Sequence, residues 1–179
     1  MSSISCYQPL GAVEIRPVTG LADLQRIADL AQVTWRSAFR DVISTAQIDY
    51  MLRLRYSNEA LAASLASGIP AYLLLLVDGD PCAFAAHRPA PQTNELQLQQ
   101  LYVHPEWQRR GLGSRLIDFV TDLARKRGCT HLILTVNRLN RDAQEVYQRR
   151  GFTIRESVVM DIGNGFVMND FVMAKKLSD

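Results

Sequence analysis

A turn with two glycines, placed between a strand-like segment and a helix-like segment, constrains the fold of this chain most. The apolar run Leu101-Tyr102-Val103 precedes the turn, Gln108-Arg109-Arg110-Gly111-Leu112-Gly113 forms it, and the amphipathic segment 114–127 follows. Gly128 then ends the helical pattern, and residues 131–136 have the pattern of another strand. A strand, a helix and a second strand in this order predict a parallel pair joined by a crossover helix.

The start of that helix predicts an anion site. The first N–H groups of a helix have no partner within it, and the helix dipole is positive at this end. The backbone amides of residues 109–114 are therefore placed to surround a phosphate. Arg109, Arg110 and Arg115 add positive charge, although exposed arginines at a helix start are often only solvated. A Gly-x-Gly pattern alone is equally typical of a tight turn. The strand and helix patterns around it are needed to distinguish an anion site from an ordinary turn.

The composition predicts one domain over residues 1–179. Apolar residues make up 47% of the chain and charged residues 21%, which is enough apolar material for one substantial core. A net charge of +2 argues against nucleic acid or a membrane as the partner. Cys6, Cys82 and Cys129 form no Cys-x-x-Cys pair, and no signal peptide is apparent. We expect a cytoplasmic protein without a disulfide framework or a zinc site.

Hydrophobic periodicity predicts an α/β (α+β) protein. Strands are predicted over 13–18, 71–77, 81–87, 95–103, 131–136, 152–160 and 166–176. Helices are predicted over 19–34, in two or three pieces over 35–67, over 114–127 and over 140–150. Asp78-Gly79 and Asn164-Gly165 are typical hairpin turns. The apolar stripe of the long helix is predicted to be Leu112, Leu116, Phe119, Val120 and Leu123.

Two patterns in this chain, in the same order, resemble those of the GNAT superfamily of N-acetyltransferases. One is the turn of form Arg/Gln-x-x-Gly-x-Gly/Ala, and the other is a strand, an Asn and a helix with a Tyr before Gly-Phe. The matching positions are Gln108, Gly111 and Gly113, and then Asn140, Tyr147, Gly151 and Phe152. The resemblance implies a mixed central sheet of about seven strands flanked by helices on both faces. It also implies acetyl-CoA as co-substrate, a small-molecule amine as acceptor, no metal, and a coenzyme-binding core over about 95–152.

The resemblance further implies roles for individual residues. It places the pantetheine arm between the strands 95–103 and 131–136, which would splay apart at their C-terminal ends. The Val103 N–H would bond the thioester carbonyl, Asn140 would bond the coenzyme, and Tyr147 would protonate the departing thiolate. The implied coenzyme-binding set is Leu101, Tyr102, Val103, Gln108, Arg109, Arg110, Gly111, Leu112, Gly113, Ser114, Asn137, Asn140 and Tyr147. From the residues alone, Asn140 is also interpretable as a helix N-cap and Tyr147 as a core aromatic residue.

The acceptor amine has to lose a proton before it attacks, so the reaction needs a base. Many members of the family carry a Glu five residues before the strand Tyr, where this chain has Gln97. Glu95 lies two residues earlier on the same face of the strand, and we expect it to be the candidate catalytic base, acting through water. The alternative for Glu95 is a solvated charge at the start of a strand.

The sequence says less about the identity of the acceptor amine than about the fold or the coenzyme. The segments 101–106 and 168–173, together with Thr34-Trp35 at the expected start of a second helix, resemble the PaiA-type branch, which is associated with polyamine acetylation. Acetylation of peptides or proteins is one alternative. A coenzyme-binding sensor without turnover is another, motivated by Gln97.

Several further residues near the expected acceptor site have two interpretations. Trp35 and Phe39 either wall the acceptor site or belong to the core. Asp41, Asp49 and Asp170 would suit a cationic acceptor, but we expect each of them at the surface. The final hairpin either walls the acceptor site or pairs with its copy in a homodimer. Structural roles are expected for His87, His104, His131 and Cys129, which have neither metal-ligand spacing nor an adjacent base.

Overall fold

The strands form one mixed sheet, with helices packed on both of its faces. The computed structural model describes residues 10–92 and 94–177, so Cys6 lies outside the described part. The strands within that part are β1 (Val13–Pro17), β2 (Ala71–Val77), β3 (Asp80–Pro89), β4 (Glu95–Val103), β5 (His131–Asn137), β6 (Thr153–Gly163) and β7 (Phe166–Lys176). The helices are α1 (Leu21–Phe39), α2 (Thr45–Tyr56), α3 (Asn58–Ser67), α4 (Leu112–Lys126) and α5 (Arg141–Arg149).

The sheet order is β1-β2-β3-β4-β5-β7-β6. Neighbouring strands are antiparallel except β4 and β5, which are parallel and joined through α4. This confirms the predicted mixed sheet of about seven strands and its parallel unit around the glycine turn. Since β7 lies between β5 and β6, the first strand of the final hairpin, β6, is the edge strand, and the second strand, β7, pairs with β5.

Successive strand residues pack alternately into two separate apolar cores, one on each face of the sheet. The α4-side core contains Leu75, Leu116 and Leu132, and residues of α5 pack against it. The α1-side core contains Ile27, Leu74 and residues of α2 and α3. Adjacent β2 residues therefore serve opposite faces, as the period of two in a strand requires. No helix in the described ranges is long and apolar enough to cross a membrane.

The first helix is longer than its sequence pattern suggested. Thr34 and Trp35 lie inside α1 rather than at the start of a second helix, so the predicted location of these two residues was wrong. The Thr34 hydroxyl donates to the Leu30 carbonyl at 2.8 Å, which satisfies a polar side chain within the buried face of the helix. The first break then comes after Phe39, close to the break predicted at 42–45.

The buried face of α4 differs from the predicted stripe at Phe119 and at Leu123, which is only half-buried. Leu112, Leu116 and Val120 are buried as expected, but Phe119 is 37% exposed and Ile117 takes the inner position. Residues 112, 116, 120 and 124 recur every four positions, residues 117 and 121 extend the buried face on one side of this row, and residue 119 lies on the other side. The predicted stripe was therefore rotated toward Phe119 relative to the buried face.

This difference predicts unequal costs for truncating two residues of α4. Leu116→Ala should lower the free energy of unfolding by about 3 kcal/mol, because it leaves a cavity in a closed core. Phe119→Ala, at a partly solvated position, should cost less than half as much. Urea unfolding monitored by circular dichroism measures both values. Equal losses would contradict the burial described for this helix.

Candidate active site

The parallel pairing of β4 and β5 stops before either strand ends. Their partners run from Glu95 and His131 to Leu98 and Leu134, whereas β4 continues to Val103 and β5 to Asn137. A bulge accompanies the separation, because Ala86 and His87 of β3 face Gln100 and Leu98 and leave Gln99 as an extra residue. The splayed gap expected from the family resemblance is therefore present, and it opens the sheet between its two faces.

The register of β4 determines which of its backbone groups face this gap. The His104 N–H donates to the Cys82 carbonyl at 2.8 Å, so every second residue of this strand pairs with β3. The backbone groups of Leu101 and Val103 then point the other way, toward the gap. The Gln108 side-chain amide donates to the Val103 carbonyl at 3.2 Å, which ties the glycine turn to this strand and leaves the Val103 N–H facing the opening.

The glycine turn presents a run of free amides. Arg109 and Gly111 have positive φ angles of 62° and 79°, and α4 begins at Leu112 without a side-chain N-cap. Within the described chain, none of the six N–H groups from Arg109 to Ser114 donates a hydrogen bond to another residue. At a helix N-terminus, where the dipole is positive, such amides form an anion site.

The two glycines of the turn contribute differently. Gly111 adopts the left-handed conformation, and a Cβ there would meet no atom within 4 Å, so its requirement is the backbone angle. Gly113 has no such constraint, and its Cβ would lie 3.5 Å from Val103 Cγ2, an ordinary contact. The protein itself therefore tolerates alanine at Gly113.

The arginines around the turn make few contacts with the rest of the described chain. The Arg110 guanidinium lies 4.8 Å from the centroid of the Trp107 ring, a cation–π contact. Arg109 and Arg115 are exposed and make no ion pair with any residue in the described ranges. Positive charge thus surrounds the free amides.

The second helix of the site, α5, begins at Asn140 and carries Tyr147 to the same opening. The Asn140 side-chain oxygen accepts from the Ala143 N–H at 3.2 Å, so the N-cap interpretation is confirmed. Tyr147 packs edge-on against Phe152 and also lines the opening, and its burial raises the pKa of the phenol to about 12. The core interpretation of Tyr147 therefore agrees with its packing, and its role as proton donor stays a prediction.

One arginine locks the turn and this helix together. Arg150, at the end of α5, donates to the Ser114 carbonyl at 3.0 Å and pairs with the Asp118 carboxylate of α4. The first turn of α4 and the helix that carries Tyr147 are consequently held in fixed positions.

The opening continues through the sheet as a cleft, which we define by Trp35, Phe39, Arg55, Gln99, Tyr147 and Asp170. Trp35 and Phe39 are buried in the α1-side core, which confirms the core interpretation, and they also line the cleft. Tyr102 stacks with both rings and also lines the cleft, and burial raises the pKa of its phenol further than that of Tyr147. A cavity of about 390 Å³ beside Val42 and Leu139 shares Asn137 with the cleft.

Asp170 is the residue that the sequence analysis placed wrongly. It is only 4% exposed, and its Oδ1 atom lacks a hydrogen-bond partner among the described residues. Burial raises the pKa of its carboxyl group, and the positive charge of Arg55 opposes that rise. Asp41 and Asp49, in contrast, stay partly or fully exposed beside arginines, as expected. The sequence clue was a charged residue in the middle of a largely apolar strand.

Glu95, the candidate catalytic base, is held in a buried ion pair. It lies at the first β4–β5 pair, where Arg155 Nη1 and Nη2 donate to its two oxygens at 2.9 and 2.8 Å. His131 lies 3.5 Å away, and the carboxylate is buried, so the solvated alternative was wrong. The Arg155 hydrogen bonds hold the pKa of Glu95 below its ordinary value, which makes it a weaker base. Gln97 is occupied too, accepting from Arg88 at 2.8 Å.

The histidines and cysteines that the structure describes form no cluster suited to metal binding. Burial lowers the pKa of His87 to about 4, and the His104 ring nitrogen accepts from the Glu106 N–H. Burial raises the pKa of the Cys82 thiol, and both Cys82 and Cys129 are free thiols. Over residues 10–92 and 94–177, no three His, Cys, Asp or Glu side chains are grouped to hold a metal ion.

A mixed sheet opened between two parallel strands, with an anion site beside the opening, defines an acyltransferase of the acetyl-CoA-dependent class. The model of the acetyltransferase (GNAT) family matches residues 24–152, which is most of the chain. The chain belongs to the GNAT family and is an acetyl-CoA-dependent N-acetyltransferase. This membership favours turnover over the alternative of a coenzyme sensor.

Known proteins similar to this chain agree with that assignment. A spermidine N(1)-acetyltransferase from Thermoplasma acidophilum is 23% identical over 167 residues, covering 92% of this chain and 98% of the relative. The structure of a PaiA N-acetyltransferase from the same organism in complex with coenzyme A matches with a TM-score of 0.78 at 24% identity, over 92% of this chain and 99% of that one. A GCN5-related N-acetyltransferase structure from Rhodopseudomonas palustris also matches at 0.78 and 24%, over 96% and 99%. At these identities the structural likeness establishes the fold.

The ion pair of Glu95 predicts a purely structural effect on mutation. Glu95→Gln should lower the free energy of unfolding by about 2 kcal/mol at neutral pH, because it weakens a charged hydrogen-bond pair. The pKa of Glu95 is lowered in the folded state, so this stabilisation is present above about pH 4.3 and is lost as the pH falls through the folded-state pKa. Unfolding curves of both proteins between pH 3 and pH 7, roughly the range set by that pKa, measure the difference.

A matched control is Glu145→Gln, since the pair of Glu145 with Arg149 is exposed and should contribute almost nothing. Glu95→Gln should also leave the rate of acetyl transfer within about twofold of the wild type, well short of the loss that follows removal of a general base. A hundredfold loss of turnover at unchanged stability would restore Glu95 as the base.

Proposed function

We propose that the protein transfers the acetyl group of acetyl-CoA by direct attack to the primary amine of a small molecule, with polyamines as the leading acceptor class. The observation that carries the proposal is the cleft through the sheet, which gives donor and acceptor opposite faces that meet at the β4–β5 gap. The name of the T. acidophilum relative supports a polyamine acceptor. A cleft walled by α1, α2 and β7, with a buried carboxylate inside, suits a small amine better than a peptide.

On the donor side, we assign the free amides of residues 109–114 to the coenzyme pyrophosphate. The Val103 N–H, which faces the gap, would stabilise the negative charge on the thioester oxygen during attack. The Asn140 carboxamide oxygen is used by the helix N-cap, which leaves its NH₂ group for the coenzyme. Leu101, Tyr102 and Asn137 would line the path of the pantetheine arm through the gap.

Tyr147 is the proposed proton donor to the departing thiolate. Its pKa of about 12 keeps the phenol protonated at neutral pH, and its position at the cleft brings it to the β4–β5 gap. The proton that it gives up returns from the nitrogen of the new amide, so Tyr147 ends the cycle neutral.

Arg55 favours a second class of acceptor. It lines the cleft, and no described residue forms an ion pair or a hydrogen bond with its guanidinium. A small amine that also carries a carboxylate, such as an amino acid, would pair with this charge as a polyamine cannot. Polyamines and amino acids are therefore the two classes to compare directly.

We further propose that residues 1–179 act as one domain, with the coenzyme held by about 95–152, in the cytoplasm. The free thiols of Cys82 and Cys129 are consistent with a reducing compartment. A homodimer is a further possibility of the architecture, supported by the edge position of β6 and its exposed Val159.

The acceptor class can be measured by mass spectrometry. Incubation with acetyl-CoA and pools of polyamines, amino acids, aminoglycosides and peptides should yield a mono-acetylated small amine together with free coenzyme A. Tyr147→Phe should slow thiol release by about a hundredfold and leave coenzyme affinity within about twofold. Tyr50→Phe, which removes a hydroxyl bound to the Ile162 carbonyl away from the cleft, is the control. Coenzyme binding without acetylation of any pool would contradict the proposal.

Substitution of Gly113 tests the donor site, because it should lower coenzyme affinity without lowering the stability of the fold. Gly113→Ala should leave stability unchanged or raise it by up to about 1 kcal/mol, because alanine favours the helix and the protein offers space for its methyl group. Coenzyme affinity, measured by calorimetry, should fall about tenfold if a phosphate lies against this backbone, which corresponds to about 1.4 kcal/mol. Gly20→Ala at the start of α1 is the matched control, and equal affinities in all three proteins would remove Gly113 from the site.

A further inference from the structure

Two buried oxygen atoms in the cleft have no hydrogen-bond donor. They are Asp170 Oδ1 and the Gln99 side-chain oxygen, and neither has a partner among the described residues. A buried acceptor without a donor costs about 1–3 kcal/mol, and more when it is charged. Both unsatisfied atoms are acceptors, so the ligand that completes this part of the cleft is a donor of hydrogen bonds.

The fold places both atoms at the gap. Asp170 faces Asn137, which is three residues past Leu134, where the β4–β5 pairing ends. Gln99 is the bulge residue directly after Leu98, at the same end of the pairing. Phe171 and Met173 pack on the α4-side core, so Asp170 projects to the opposite, α1-side face. The carboxylate therefore lies on the face away from the glycine turn, where an acceptor would enter.

An alkylammonium group fits these two atoms in charge and in hydrogen bonding. It carries one positive charge and three N–H donors, which match one carboxylate and one carboxamide oxygen. We propose that Asp170 binds the ammonium of the acceptor and removes its proton, with the Gln99 oxygen as a second anchor. This inference rests on the proposed function, and it gives the reaction the base that Glu95 and Gln97 do not supply.

The charged and titratable side chains that share the cleft with Asp170 suit this role. Arg55 comes from α2, Tyr102 from β4 and Tyr147 from α5. Burial raises the pKa of the Asp170 carboxyl, which strengthens it as a base, and the positive charge of Arg55 opposes that rise. Both phenols have raised pKa values and stay neutral, so they do not compete for the ammonium.

The proton transfers balance as follows. One ammonium proton passes to Asp170 Oδ1, and the freed lone pair on nitrogen attacks the carbonyl carbon of the thioester. The C–N bond forms, the C–S bond breaks, and the thiolate takes the Tyr147 proton. The amide nitrogen returns a proton to Tyr147, and the proton on Asp170 is released to water with the products. Three N–H bonds of the ammonium thus become one amide N–H, one thiol S–H and one released proton.

The test compares Asp170→Asn on two kinds of amine that the wild type acetylates. On an alkylamine that is protonated at neutral pH, kcat/KM should fall by about a hundredfold or more. On a weakly basic amine that is neutral at the same pH, such as trifluoroethylamine, the loss should be at least tenfold smaller, because no proton has to be removed before attack. Equal losses on both amines, or no loss on either, would overturn the assignment.

Controls separate this role from folding and from the proposed function. Asp41→Asn, at an exposed aspartate, should match the wild type on both amines, and Asp170→Asn should keep its coenzyme affinity. If the asparagine variant does not bind coenzyme, Asp170→Glu is used, which keeps the charge and should retain partial turnover. If the wild type acetylates no amine, the proposed function fails. The proposed binding of the ammonium group by Asp170 is then tested by calorimetry with spermidine. Tenfold weaker binding by Asp170→Asn supports it, and equal binding overturns it.

Discussion

The early end of the hydrogen bonding between β4 and β5 is the constraint on which the rest of this structure depends. A parallel pair that continued to Val103 and Asn137 would close the sheet and leave no passage between its faces. The pairing stops at Leu98 and Leu134, the Gln99 bulge bends β4 away, and β5 satisfies its other edge by pairing with β7 over its full length. The opening leaves the Val103 N–H and the gap-facing backbone groups of Leu101 without partners in β5. A bound ligand can form hydrogen bonds with them.

Each face of the sheet holds one half of the site in place. On the α4 side, Arg150 fastens α5 to the first turn of α4, and Gln108 fastens the glycine turn to Val103. On the α1 side, the Gln47 side-chain amide donates to the Val167 carbonyl of the β6–β7 hairpin at 3.1 Å. This contact holds the hairpin that carries Asp170 against α2.

Local signals explain what could be predicted from the sequence. The strands, the glycine turn and the Asn140 cap depend on residues close in the chain, where turn chemistry and periodicity act directly. The environment of Glu95 depends on Arg155, sixty residues away, so no local pattern separated a buried ion pair from a solvated charge. The burial of Asp170 was not predicted for a similar reason. Its position at the gap depends on β7 inserting between β5 and β6, which is a property of the whole sheet.

The central claim is that the β4–β5 gap and the free amides of residues 109–114 hold the acyl donor. Amide-resolved NMR during titration with coenzyme A measures this most directly. The account predicts that the largest shifts and the slowest hydrogen exchange appear at Gly111, Gly113 and Ser114, and at Leu101 and Val103 along the gap. Unchanged signals at these amides, with shifts concentrated instead around Val42 and Leu139, would contradict it.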